Sequence, residues 1–267
     1  MHKYVSFCGQ ILSPAEPSIA ALSSSSLYGR GIFTTLSIYN EGVFLWDKHW
    51  RRLAGNAAKL GIDLDGFSGQ DTRRALEDLI KANKVVNGRA RITFLDESSS
   101  NIWPFKTTLR TSLLITTADS RPMPENFSLT VSPYFINSAS PLAGVKSCNY
   151  LEKMLALDEA RERGYDEAIQ LNERGDIASG CMSNIFWLAA GTLLTPSLRT
   201  GCIAGTTREF VLENLECTEA ETDIESLRKA DTIFMTSAGI GIQRVDVFDG
   251  RRFERSIHPI LSLVPEK

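Results

Sequence analysis

A mixed α/β (α+β) fold in two domains is predicted by three features of the sequence. Short segments with period-two apolar alternation come in hairpin-like pairs. Segments with helical periodicity are interspersed among them without strict βαβ alternation. Asp119–Asn126 carries two prolines and no apolar periodicity, and it divides the 267 residues into nearly equal parts. The boundaries that follow are 1–118 for an N-terminal α/β domain, 119–126 for a linker, and 127–267 for a C-terminal α/β domain that contains Lys146.

Residues 31–46 read as a hairpin. Ile32, Thr34, Leu36 and Ile38 alternate with Phe33, Thr35, Ser37 and Tyr39, Asn40-Glu41-Gly42 turns, and Val43-Phe44-Leu45-Trp46 returns. Asp47 then caps a helix over 48–60 with Trp50, Leu53, Ala57 and Leu60 on one face and Gly61 at its end. A second helix fits 70–83. Arg89–Leu95 and Thr107–Thr117 are strand-like through their β-branched residues. Past the linker, Phe127–Val131 is a short strand. Ser147–Arg163 is a helix with Leu151, Met154 and Leu155 inward, Glu159 paired to Arg163 outward and Gly164 at its end. Ala168–Leu171 and Ser183–Leu188 are strands on either side of the polar turn Asn172–Asp176. Gly205-Thr206-Thr207-Arg208 opens a further helix, and Thr232–Thr236 is a strand ending in Ser237-Ala238-Gly239. Ser23–Ser26 reads as a loop.

Composition narrows the function. With 29 Lys+Arg against 32 Asp+Glu the net charge is −3, which removes the basic footprint of a nucleic-acid binder. The longest apolar run, Ile185–Ala190, is strand-sized, far from the roughly 18 residues of a membrane span. Met1–Cys8 lacks the apolar stretch of a signal peptide. A soluble, cytoplasmic protein with no nucleic-acid or membrane partner is expected. Cys8, Cys148, Cys181, Cys202 and Cys217 are widely spaced, no C-x-x-C occurs, and the histidines are His2, His49 and His258. Neither a metal site nor a disulfide framework is expected, and the cysteines read as small buried apolar residues. Proton transfer then falls to Lys, Tyr, Thr or a cofactor.

Three places are candidates for chemistry. Gly205-Thr206-Thr207 at a helix start gathers backbone N–H groups and two hydroxyls, either as an anion site or as a plain cap. Ser237-Ala238-Gly239 after a strand is a second site of that kind. No P-loop and no G-x-G-x-x-G is present. Lys146 follows Gly144 among small and apolar neighbours, where an amine is either desolvated into a nucleophile or an ordinary surface lysine beside a turn.

Read together, these pieces resemble a known family. Tyr28-Gly29-Arg30-Gly31-Ile32-Phe33-Thr34-Thr35 resembles the Y-G-D-G-x-F-E-T opening of the class IV pyridoxal-phosphate (PLP) aminotransferases. His49-Trp50-Arg51-Arg52-Leu53 is similar to their H-x-x-R-L, and Lys146-Ser147-Cys148-Asn149-Tyr150-Leu151 to K-[ST]-x-N-Y-L. Asp166-Glu167-Ala168-Ile169, Ser183-Asn184-Ile185-Phe186 and Thr195-Pro196 continue the order, and Gly205-Thr206-Thr207-Arg208 is similar to G-I-T-R. The family includes branched-chain and D-amino-acid aminotransferases and 4-amino-4-deoxychorismate lyase.

The resemblance implies a fold type IV enzyme, D-amino-acid aminotransferase-like, with PLP in the cleft between two α/β domains and usually a homodimer. It implies an amino-acid-like substrate. Lys146 would hold PLP and shuttle the Cα proton, and Arg52 would grip the phosphate. Thr206 and Thr207, with the turn of Thr236, Ser237 and Ala238, would complete the phosphate cup. Tyr150 would reach the ring hydroxyl side, and Phe33 and Thr35 would look onto the cofactor. Arg30, Arg91 and Arg110 are candidates for a substrate carboxylate.

Three departures bear on mechanism. Ser179 stands where the family has a glutamate that keeps the pyridine nitrogen protonated; Arg30 and Thr34 replace the Asp and Glu of the opening motif; Ala238 stands where some relatives have a hydroxyl. A weaker electron sink favours elimination over transamination. Phe33-Thr34-Thr35 resembles the F-T-T of the lyases, in which Thr35 would protonate the departing enolpyruvyl group. The leading expectation is elimination of pyruvate, as in 4-amino-4-deoxychorismate lyase. The alternatives are a branched-chain or D-amino-acid aminotransferase and a PLP-fold protein retained for binding alone.

Overall fold

The computed structural model describes residues 1–98, 110–120, 122–255 and 257–265. Residues 107–109 of the predicted strand and Arg121 of the predicted linker lie outside them. The chain forms two units, Met1–Arg121 with Val145–Asn149, and Pro122–Gly144 with Tyr150–Glu266.

In the first unit β1 (Val5–Phe7), β2 (Gln10–Leu12), β3 (Gly31–Tyr39), β4 (Gly42–Val43), β5 (Gly88–Asp96) and β6 (Thr111–Ala118) form one antiparallel sheet in the order β2-β1-β6-β5-β3-β4. Period-two alternation decides its faces. Ile32, Leu36 and Ile38 of β3, Ala90, Ile92 and Phe94 of β5, and Leu113 and Ile115 of β6 are buried in one core. That core is closed by α2 (Trp46–Leu60) through Leu53 and Ala57, and by α3 (Gly69–Asn83) through Leu76, Leu79 and Ile80. The odd-numbered residues of β3 and β5 take the opposite face.

Four expectations need correcting here. The hairpin returns only through Gly42–Val43, and α2 begins at Trp46, which is buried and stacks on Trp50 at 6.2 Å. Asp47 therefore lies in the first turn, while Leu45 holds the N-cap in a left-handed conformation. Ser23–Ser26 is no loop either. Ser23 accepts a hydrogen bond from Ser26 N and caps a short helix, α1 (Ser24–Tyr28). Lys146, in the C-terminal half by chain order, packs with the first unit, because Val145–Asn149 pairs with the start of β3.

In the second unit β7 (Ser128–Val131), β8 (Glu167–Leu171), β9 (Ile177–Gly180), β10 (Asn184–Ala189), β11 (Thr192–Pro196), β12 (Thr218–Ala220), β13 (Thr232–Ser237), β14 (Gly241–Arg244), β15 (Val247–Phe248) and β16 (Arg251–Arg252) form two sheets. Their orders are β12-β11-β10-β13-β14 and β16-β15-β7-β8-β9. Leu129, Ile169 and Ile177 of one sheet share a core with Ile185, Trp187, Ile233 and Met235 of the other. Phe186 and Phe234 point the other way, against Val211 of α5 (Thr206–Asn214). Both faces of β10 are thus covered, which is why it reads as an unbroken apolar run.

The helix predicted over Ser147–Arg163 is shorter, α4 (Leu151–Glu162), because Ser147 and Cys148 pair with β3 instead. Its apolar face is also turned. Ala156, Leu157 and Ala160 are buried against Ala168 and Cys181, whereas Leu151, Met154 and Leu155 are 65%, 41% and 51% exposed. Glu159 and Arg163 do pair, at 2.7 Å. A four-residue helix, α6 (Glu225–Arg228), completes the helices of the described residues. None of them is long and apolar enough to cross a membrane.

Candidate active site

Lys146 owes its position to backbone pairing. Phe33 N donates to Lys146 O at 3.0 Å, Cys148 N donates to Gly31 O at 2.7 Å, and Ile32 bridges to Ser147. This close approach needs a glycine at 31, since a Cβ there would sit 2.8 Å from Phe94 O and 3.0 Å from Cys148 Sγ. Lys146 Nζ then lies 4.5 Å from the centre of the Phe33 ring. Arg91, a diagonal neighbour across β3 and β5, sets its guanidinium 3.6 Å from the same ring and donates Nε–H to Thr93 Oγ1 at 3.2 Å. Thr35 is directly opposite Arg91 in register. The structure therefore brings together Lys146, Phe33, Thr35 and Arg91 on the face of the sheet away from the helices.

Arg52 is found with a different set. Its Nη2 donates to Thr34 Oγ1 at 2.7 Å, and that hydroxyl is 2.7 Å from His49 Nδ1. His49 is 1% exposed; burial first, then the charges of Arg52 and Lys146, hold its imidazole well below the ordinary histidine range. The motif H-x-x-R-L contains this histidine, but nothing in the spacing marks it as a partner of Thr34. Arg30 turns away from the Phe33 face. It lies 3.2 Å from the buried carboxylate of Asp96 and donates to Leu60 O and Gly61 O. Arg110 is 3.7 Å from Glu97.

The second unit carries the remaining candidates. Gly205 is the N-cap of α5 and brings no side chain to the first turn; a Cβ at this position would overlap Asn184 Oδ1. Thr206 and Thr207 are buried. Arg208 is structural, its Nη2 bonded to Pro196 O at 2.8 Å and to Glu219. Thr236 is fully buried, and its hydroxyl has no hydrogen-bond partner among the described residues. Ser237 Oγ accepts from Ile240 N at 3.3 Å and so shapes the turn through Ala238. Tyr150 stands half-buried at the N-cap of α4. Ser179 on β9 is 3% exposed with an unpartnered hydroxyl. Facing it across β8 is Gln170, whose Oε1 accepts from Lys153 Nζ at 3.2 Å. Neither Gln170 nor Lys153 is legible as a site residue in the sequence, since β9 itself is too short and small-residued to be read as a strand.

The chain is similar along most of its length to proteins of known activity. It is 28% identical over 243 residues to the aminodeoxychorismate lyase of Bacillus subtilis, covering 88% of this chain and 83% of that protein. It is 26% identical over 267 residues to the branched-chain-amino-acid aminotransferase of Escherichia coli, covering 92% and 85%. The crystal structure of the branched-chain aminotransferase of Thermoproteus uzoniensis with norvaline superposes with a TM-score of 0.90 at 26% identity, over 98% of this chain and 92% of that one. With the model of the family Amino-transferase class IV matching residues 31–248, the chain belongs to the class IV aminotransferases, a family of PLP-dependent enzymes.

Proposed function

We propose that the chain is a lyase that splits 4-amino-4-deoxychorismate into 4-aminobenzoate and pyruvate. The observation that carries the reading is the Phe33 face of β3, where Lys146 and Arg91 share one aromatic ring and Thr35 stands across from Arg91. The residues fit PLP. Lys146 offers an amine, Arg52 a guanidinium, Ser179 and Thr236 buried hydroxyls without partners among the described residues, and Gly205 a helix N-cap that carries no side chain of its own. Lys146 holds the cofactor, Tyr150 its ring hydroxyl side and Ser179 its ring nitrogen. Arg52, Thr206, Thr207, Thr236, Ser237 and Ala238 hold its phosphate. When bound, PLP supplies a sink for the electron pair left on the substrate carbon.

Lys146 removes the proton from the ring carbon that bears the substrate amine. Arg91 anchors a carboxylate, since its guanidinium lies against the Phe33 ring that Lys146 also faces. Thr35 passes a proton to the enolpyruvyl group as its C–O bond breaks. The proton lost from the ring is matched by the one pyruvate gains, so no oxidant is needed. Ser179 supports elimination over transamination, since a neutral hydroxyl does not sustain a protonated ring nitrogen as a carboxylate does.

The test is a substrate panel on the PLP-loaded chain. Pyruvate and 4-aminobenzoate released one to one support the lyase; keto acid from a branched-chain or D-amino acid without pyruvate overturns it. The similarity to the Thermoproteus uzoniensis enzyme supports that second reading, an aminotransferase. We also propose a homodimer, supported by the exposed apolar stripe Leu151, Met154 and Leu155 on α4.

A further inference from the structure

We infer that Ser179 meets the cofactor's ring nitrogen as a hydrogen-bond donor, and that the Lys153–Gln170 pair behind it keeps that nitrogen unprotonated. The inference rests on the reading that PLP binds with its ring nitrogen at Ser179, and it adds what that nitrogen is when bound.

Ser179 and Gln170 are paired residues of β9 and β8, so their side chains share one face of the sheet. Ala168 and Cys181 of that face pack on α4, which also carries Lys153. A lysine ammonium can only donate, so the Gln170 atom 3.2 Å from Lys153 Nζ is the carbonyl Oε1, and the rest of that amide is an NH₂ donor. The Cys181 thiol is a donor too. It gives its proton to Ala168 O at 3.4 Å, and burial pushes its pKa up to about 12, so no thiolate forms. Glu167, on the same strand as Gln170, belongs to the other face of β8, with Oε1 accepting from Ser183 Oγ and Met182 N, each at 2.7 Å. Around the 3%-exposed, unpartnered Ser179 hydroxyl the side chains named offer donors, and the one acceptor among them, Gln170 Oε1, is already engaged by Lys153 Nζ.

A buried hydroxyl in such surroundings satisfies its proton only through the ligand. A ring nitrogen with a free lone pair accepts that proton. A protonated ring nitrogen would instead need Ser179 as acceptor and would strand the hydroxyl proton. The Lys153 ammonium adds a like charge that opposes protonation of the ring. Burial lowers the Lys153 pKa from the ordinary lysine value, and Cys181, Glu167, Cys202 and Glu152, which all favour the ammonium form, offset only part of that.

The test is ¹⁵N NMR of the chain reconstituted with ring-¹⁵N PLP, followed from about one pH unit below neutrality to about one above. The unprotonated shift is expected throughout in the wild type. Ser179→Glu should move it to the protonated shift at neutral pH, and Lys153→Met should raise the midpoint of ring protonation whereas Lys153→Arg leaves it. Should Lys153→Met not fold, Ser179→Ala gives an independent reading. The wild type should prefer PLP to 1-deaza-PLP by about fivefold, the worth of one neutral hydrogen bond, and Ser179→Ala should erase the preference. A protonated ring nitrogen in the wild type at neutral pH overturns this inference and leaves the lyase reading standing. A chain that takes up no PLP on Lys146 overturns the functional reading, and this inference with it.

Discussion

Arg52 donates to Thr34 Oγ1 at 2.7 Å, and the same hydroxyl lies 2.7 Å from His49 Nδ1. Arginine can only donate, so Thr34 accepts from it and has one proton and one lone pair left for the imidazole. A single neutral hydroxyl thus joins a cation to a buried histidine. Thr34→Val keeps the shape but leaves both neighbours one partner short in a buried place. A loss of about 1–3 kcal/mol is expected in urea unfolding, with Thr34→Ser retaining most of the stability.

Arg52→Ala should act on cofactor affinity more than on the fold, because Leu53 and Ala57 carry the packing of α2. One charge-assisted hydrogen bond is worth about 1.5–3 kcal/mol, so PLP binding should weaken tenfold or more. Titration of the dialysed chain with PLP measures this, and an unchanged affinity moves the phosphate site elsewhere.

Lys146→Ala should abolish the borohydride-reducible attachment of PLP and all turnover. The segment around it is held by backbone bonds to β3, which the truncation leaves in place, so the near-ultraviolet circular dichroism of the apo chain should not change. Mass spectrometry reads the adduct directly. An adduct on another lysine with activity retained would refute the assignment.

What the sequence could and could not reveal follows the range of the signals involved. The alternation in Gly31–Tyr39 and the helix start at Gly205-Thr206-Thr207 are local, and the strand and helix they mark are where the pattern puts them. The stripe Leu151, Met154, Leu155 has helical spacing too, yet periodicity says only that a face is apolar, not what covers it. The start of α2 is not legible in the local sequence, because burial of Trp46 outweighs the capping preference of Asp47. Among the site residues, Lys146, Arg52 and Ser179 lie in motifs. The Arg91–Phe33 contact and the Lys153–Gln170 pair depend on strand register, which no short segment encodes.

The exposed stripe on α4 carries a prediction of its own. Three large apolar side chains at i, i+3 and i+4 form one patch, and such a patch marks an association surface. Leu151→Glu with Leu155→Glu adds two charges to it without touching Ala156, Leu157 or Ala160, which hold the helix to its own unit. Light scattering after size exclusion should give a dimer for the wild type and a monomer for the double variant, with far-ultraviolet circular dichroism unchanged. A monomeric wild type would remove the dimer proposal.

His49 sets the dependence of stability on pH. Its imidazole is held well below the ordinary value of 6.5, first by burial and then by the charges of Arg52 and Lys146, so the folded chain keeps it neutral. Above pH 6.5 it is neutral in the unfolded chain as well, and its contribution does not vary. As the pH falls below 6.5 the unfolded chain binds a proton that the folded chain refuses, and stability is lost at up to about 1.4 kcal/mol per pH unit. The loss continues until the folded imidazole itself titrates. His49→Gln removes the titrating group while leaving a polar side chain beside Thr34. Its unfolding free energy can be lower at every pH, but it should fall less steeply below pH 6.5 than that of the wild type, while above that value the two curves run parallel. Urea midpoints measured at half-unit intervals on both sides decide the matter. Parallel curves on the acid side would mean that the unfolded and folded chains bind the same number of protons at His49, and the buried neutral imidazole beside Thr34 and Arg52 would have to be abandoned.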